Sequence, residues 1–136
     1  MINVSDIRIW LSEKNIEENF GLSKIYDAKI VTKEEKIAGV YNLSNSNPFS
    51  KYIGIKRNDY EIGINLLIHY TKKYAETEDI GNKILKFLGD LDVKDLIINN
   101  HKITMIELLS GNEDVGYDEE NNIYERVIQF KLYYMM

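Results

Sequence analysis

The sequence predicts an α+β domain: a mainly antiparallel sheet of four to five strands covered by two amphipathic helices, in the order α-β-β-β-α-β-β. Three observations predict it. Two stretches repeat apolar residues at three- and four-residue spacing, several shorter ones alternate apolar with polar residues, and the alternating ones are mostly joined as hairpins. With 136 residues, 44% hydrophobic, 29% charged, one Pro and no Cys, residues 1–136 read as a single domain. Area scaling buries about two-thirds of the extended-chain surface, enough for one core without a disulfide or metal staple.

The first helix is expected over residues 6–19. The Ser5 hydroxyl can accept a free backbone N–H, and Asp6 places negative charge at the positive end of the helix dipole. Ile7, Trp10, Leu11 and Ile16 form an apolar stripe that Phe20 closes, with Gly21 as the stop signal. Residues 24–32 and 36–43 then read as a hairpin about Lys33, Glu34 and Glu35. Residues 44–59 gather turn formers round the only proline, which predicts a long loop, and long loops in compact domains are often functional.

Residues 60–71 carry the clearest strand pattern. Ile62, Ile64, Leu66, Ile68 and Tyr70 share a core face, whereas Glu61, Gly63, Asn65, Leu67, His69 and Thr71 share a mostly wet one. Acids at 76, 78 and 79 open a second helix over 74–88, with Ile80, Ile84, Leu85, Phe87 and Leu88 at helical spacing and a stop at Gly89. Residues 101–109 and 123–134 complete the strands, Ile128, Phe130, Leu132 and Tyr134 alternating inward, with a polar, acidic loop over 110–122 between them.

Chemistry is narrowed by what is missing. Zero Cys excludes thiolate metal sites, iron–sulfur clusters and cysteine nucleophiles. Neither His69 nor His101 has a second His at ligand spacing, so both read as ordinary surface or rim histidines. Glu113, Asp114, Asp118, Glu119 and Glu120 are the strongest local charge feature, but from Asp114 the spacing puts Gly116 where a calcium loop needs an oxygen. A solvated acidic loop, or a contact to a basic partner, is the reading that remains. Glycines form no phosphate-binding motif, and no nucleophile elbow occurs. Lys56 and Arg57 can meet a phosphate or an acidic neighbour but read first as a solvated pair. The expectation is therefore not an enzyme, with no cofactor and no metal.

The net charge of −5 arises wholly after residue 68, where 13 acids face eight cations. This is unlike a DNA-binding footprint. Apolar runs such as Leu66-Leu67-Ile68 are far too short to span a bilayer, and the first residues lack the pattern of a secretory signal, so a cytosolic product is expected.

Two features point to an interaction protein. Residues 130–136, including Tyr133 and Tyr134, are almost wholly apolar and aromatic. They read either as a subunit contact or as a strand packed on both faces in mid-sheet. Phe49 and Tyr52 add aromatic anchors in the long loop.

Residues 68–78 (Ile-His-Tyr-Thr-Lys-Lys-Tyr-Ala-Glu-Thr-Glu), a helix ending Ile84-Leu85-Lys86-Phe87-Leu88, the strand 103–109, Val115-Gly116-Tyr117-Asp118, and a closing strand that opens Ile123-Tyr124-Glu125-Arg126 occur in that order. Over residues 60–134 this succession resembles the tail terminator and minor capsid proteins of tailed bacteriophages, which have relatives in phage-tail-like bacteriocins. The resemblance implies a hexameric ring on the head-proximal end of the tail tube, in a virion tail or tail-like particle assembled in the bacterial cytoplasm. The ring stops tube polymerisation and offers a joining surface to a head–tail connector or collar protein, and in contractile systems to the sheath protein. It implies no catalytic residues, and DNA that passes through the lumen without sequence-specific binding. The acids at 113–120 are then expected to face that lumen or a partner. A connector or neck subunit is the alternative, and a ligand-binding or enzymatic α+β domain the more distant one.

Overall fold

A capping box starts the fold: the Asn3 side chain accepts from the Asp6 N–H, and the Asp6 carboxylate accepts from the Asn3 N–H. In the computed structural model, which describes residues 1–27, 29–43 and 59–135, this box opens α1 (Val4–Glu13), followed by α2 (Ile16–Asn19), β1 (Lys24–Asp27), β2 (Ile37–Asn42), β3 (Asp59–His69), α3 (Tyr74–Gly89), β4 (Ile97–Ile98), β5 (His101–Leu108), β6 (Glu113–Asp118) and β7 (Ile123–Met135). The architecture is helices on a mixed sheet ordered β1-β2-β3-β7-β5-β4, with β6 also on β7.

Several expectations need correction. The first helix is broken, because Asn15 adopts a left-handed conformation (φ 58°) and Ile16 restarts a short turn. Among the described residues, three helices and seven strands replace two and four to five. The expected hairpin of residues 24–43 is instead a parallel pair, β1 on β2. Its link does not fold back. Ile30 lies over the backbone of Gly39, where a Cβ would collide with it, and the Thr32 carbonyl meets the His69 ring. The other pairings are antiparallel. Within the expected loop 110–122 lies strand β6, and β4 joins β5 through Asn99 and Asn100, both at positive φ as a two-residue hairpin requires. Of the expected 44–59 loop, residues 44–58 lie outside the described residues, and Asp59 opens β3.

The axis of the sheet is β7. It pairs with β3 from Asp59↔Met135 to His69↔Glu125. On its other side it pairs with β5 through its C-terminal half and with β6 through its N-terminal half. Five positions separate Leu108 from Glu113, but only three separate their partners Phe130 and Val127. Thus β5 and β6 are one long strand interrupted by two extruded residues. The C-terminal segment lies in mid-sheet, buried on its helix side and half-buried on the other, where Tyr133 stands.

The core lies under the helices. Ile62, Ile64, Leu66 and Ile68 of β3 and Ile128, Phe130 and Leu132 of β7 pack with Ile7, Trp10 and Leu11 of α1 and Ile80, Ile84 and Leu88 of α3. Each such buried side chain contributes about 1.5–3 kcal/mol. Tyr134 is buried here too, its ring stacked on Tyr60 and its hydroxyl accepting from the Ile2 N–H. It holds the fold and offers no surface to a partner.

A polar node fastens the β5–β6 break to α3. The Arg126 Nε donates to the Asn112 Oδ1 (2.8 Å) and its Nη2 to the Asn112 carbonyl (2.6 Å). The Asn112 Nδ2 in turn donates to the Glu78 carbonyl and to Asn82. Gly81 leaves the space for this, since a Cβ there would overlap the Asn112 carboxamide. Gly81→Ala therefore gains about 1 kcal/mol of helix propensity but displaces Asn112 from a charged donor, which costs about 1.5–3 kcal/mol. Urea denaturation is expected to show a net loss of about 1 kcal/mol, and a stabilised variant would mean that the node is not formed.

Candidate interaction surface

Strand β5 leaves an edge uncovered. Only His101 and Lys102 pair with β4, so among the described residues 104–108 have β7 on one side and no strand on the other. Beside this edge runs an open groove of about 420 Å³, lined by Leu88, Leu91 and Val93 from the end of α3 and its following turn, and by Met105, Ile106 and Leu108. Met105 (46%), Leu108 (41%) and Leu109 (40%) are exposed, as are Val115 and Tyr117 further along β6. Unpaired strand groups flanked by exposed apolar side chains form a template for another strand, and natural proteins normally cover them.

The same edge is acidic. Residues 104–120 contain six Asp or Glu and no Lys or Arg. Glu107 accepts from the Tyr133 hydroxyl, and Glu113 and Asp114 are exposed on β6. Asp114 also accepts from the Gly116 N–H and lies 3.9 Å from Arg126. Hydrogen bonds from the Asn121 side chain and backbone, together with the charge of His69, hold the Asp118 carboxyl below its usual range. Glu119 and Glu120 stand exposed in the turn before β7. The five acids singled out in the sequence thus lie on one strand and its turn, with Tyr133 half-buried one strand away. Phe49, Tyr52, Lys56 and Arg57 lie outside the described residues.

The opposite edge of the sheet, β1, has a different character. Lys24 and the partly exposed Arg8 border a shallow hollow of about 300 Å³ with Ile25, Tyr26 and Asp27. Lys24 lies over the Tyr26 ring and Arg8 beside Asp27 (3.5 Å). The link to β2 carries exposed Lys29, Lys33 and Lys36 together with exposed Glu34 and Glu35, Glu34 accepting from the Tyr26 hydroxyl and Lys36 lying over the Tyr70 ring.

The helix-free face satisfies its own polar groups. Asn65 accepts from Gln129 (2.8 Å) and Glu61 pairs with Lys131 (3.5 Å), both across β3 and β7. His69, expected to be a surface or rim residue, is fully buried because the 29–36 link crosses it. Its Nδ1 lies 2.9 Å from Glu125 and its Nε2 lies 2.9 Å from the Thr32 carbonyl. Both neighbours are acceptors, so satisfying them requires an N–H on each ring nitrogen, the imidazolium. Burial, the largest single influence, opposes that charge, but the bonds to Glu125 and Thr32 and the charges of Glu125 and Asp118 outweigh it and raise the pKa.

The free β5 edge and its groove were not found from sequence. The signal was Leu108-Leu109, two adjacent apolar residues where alternation calls for one. Among the described residues, no three His, Asp or Glu group to hold a metal ion, and no helix is long and apolar enough to cross a membrane. Neither a protein-family model nor a curated protein matches the chain.

Proposed function

We propose that this chain is a structural subunit of a phage tail or tail-like particle, a tail terminator that closes into a hexameric ring on the head-proximal end of the tail tube. One observation carries the reading on the structural side: among the described residues the sheet has two uncovered edges of unlike chemistry, β5–β6 acidic and apolar, β1 carrying Lys24 and Arg8 beside Asp27. Unlike patches that meet between copies make heterologous contacts, and such contacts close into rings when the rotation permits. The order of motifs over residues 60–134 supplies the more specific identity.

A ring of this kind works by occupying the growing surface of the tube without reproducing it. Its partners in this reading are the tail tube protein below, a head–tail connector or collar protein above, and the sheath protein where the tail contracts. The acids at 113–120 face either the lumen, where they repel the DNA backbone and ease its passage, or a partner. Antibody labelling of the parent particles tests the position. Tails isolated without heads are expected to carry the label at their head-proximal end. Label confined to heads that lack tails would contradict the terminator reading and favour a connector.

A further inference from the structure

We infer that the acidic β5 edge of one copy receives the β1 edge of the next, joining the two sheets strand to strand. The inference rests on the ring reading above and names its contact. Three features support it. The lengths match, because β1 has four residues, Lys24 to Asp27, and the uncovered stretch of β5 has five, 104 to 108. The charges match in part: Lys24 and Arg8 border one edge, the latter beside Asp27, and Glu107, Glu113 and Asp114 the other. Third, the receiving edge has exposed apolar side chains to cover, Met105, Leu108 and Leu109, beside a groove walled by Leu88, Leu91 and Val93. In strand addition the main-chain hydrogen bonds supply affinity and the flanking side chains supply selectivity.

A copy of this chain fits better than a foreign basic segment, because one molecule presents both complementary edges at opposite ends of the same sheet. With each copy using one edge of each kind, every interior strand end is covered and only closure leaves none exposed.

Charge exchange tests the contact. Lys24→Glu and Glu107→Lys alter exposed side chains, and circular dichroism melts establish that each variant is folded. Light scattering across a concentration series then compares the wild type, the two single variants and the double variant. Each single exchange is expected to raise the association midpoint about tenfold, and the double variant to return to within about threefold of wild type. Leu108→Asp, a second probe independent of the exchanged pair, is expected to weaken association as well. A wild type that associates with midpoints unmoved by any substitution would overturn the edge contact and leave the ring reading standing. Weakened singles without recovery in the double variant would overturn the pairing of these two edges and indicate a different basic surface. A wild type that remains monomeric throughout would overturn both.

Discussion

Arg126→Met is expected to lower the unfolding free energy by about 3 kcal/mol, with the urea m-value unchanged. Arg126 is 7% exposed on the helix side of β7, where its guanidinium makes two short hydrogen bonds to Asn112 and lies beside Tyr74 and Asp114. Bonds that involve a charged donor contribute about 1.5–3 kcal/mol each, and Met fills similar volume, so a cavity adds little to the loss. The effect reaches beyond one side chain. Asn112 ends the two-residue extrusion between β5 and β6, so releasing it frees the β6 edge from α3. Arg126→Lys is expected to recover less than half of the loss, because an ammonium cannot present the planar fork that meets the Asn112 carbonyl and side chain together. A loss below about 1 kcal/mol for the Met variant would mean that packing, not the node, fixes this junction.

The second large effect is a fall in stability as pH rises above about 6.5, the ordinary histidine value. In the folded protein the His69 ring lies between two acceptors, the Glu125 carboxylate and the Thr32 carbonyl, which favour its protonated form and raise its pKa. A group whose folded pKa lies above its unfolded one contributes fully below the unfolded value and loses that contribution as pH rises through the folded value. Urea titrations at pH 6 and pH 8.5 are expected to show the wild type more stable at the lower pH. His69→Gln is expected to flatten this difference and to cost about 2 kcal/mol at pH 6, since it leaves the Glu125 carboxylate without its cationic partner. Stability that rose with pH in the wild type, or a His69→Gln protein with the same slope, would contradict the bridge.

The core was legible wherever alternation or helical spacing ran unbroken. Ile62, Ile64, Leu66 and Ile68, and Ile128, Phe130, Leu132 and Tyr134, face inward as their two-residue period requires. The span of α3 was legible to within one residue from the spacing of Ile80, Ile84 and Leu88 and from Glu76 in its first turn, whereas Gly89, expected as the stop, is its last helical residue. What escaped depends on partners distant in the chain. The parallel sense of β1 on β2 follows from Ile30 seated over Gly39, a contact that local patterning does not encode. Strand β6 was hidden by its polarity and by a bulge between Asp114 and Gly116, whose glycine has φ 127°. The break at Asn15 was masked because Ile16 continues the apolar stripe beyond it.

The candidate surface was legible as composition and not as geometry. Five acids between 113 and 120 were visible as a cluster, yet their position on a sheet edge depends on β7 taking the centre. His69 looked wet because it alternates with core residues, and the link that covers it arrives from 37 residues away. The C-terminal aromatics show the converse: Phe130 and Tyr134 fill the core face of the central strand, and Tyr133 is half-buried on its other face.

The central claim, that copies of this chain close into a ring through unlike edges, is tested most directly by the mass of the purified protein in light scattering as concentration rises. The account predicts growth from the 15.9 kDa chain to a plateau at six copies, about 95 kDa, because a closed heterologous ring has no edge left to extend. A mass that stays at one chain at every concentration, or that climbs without a plateau, would contradict it.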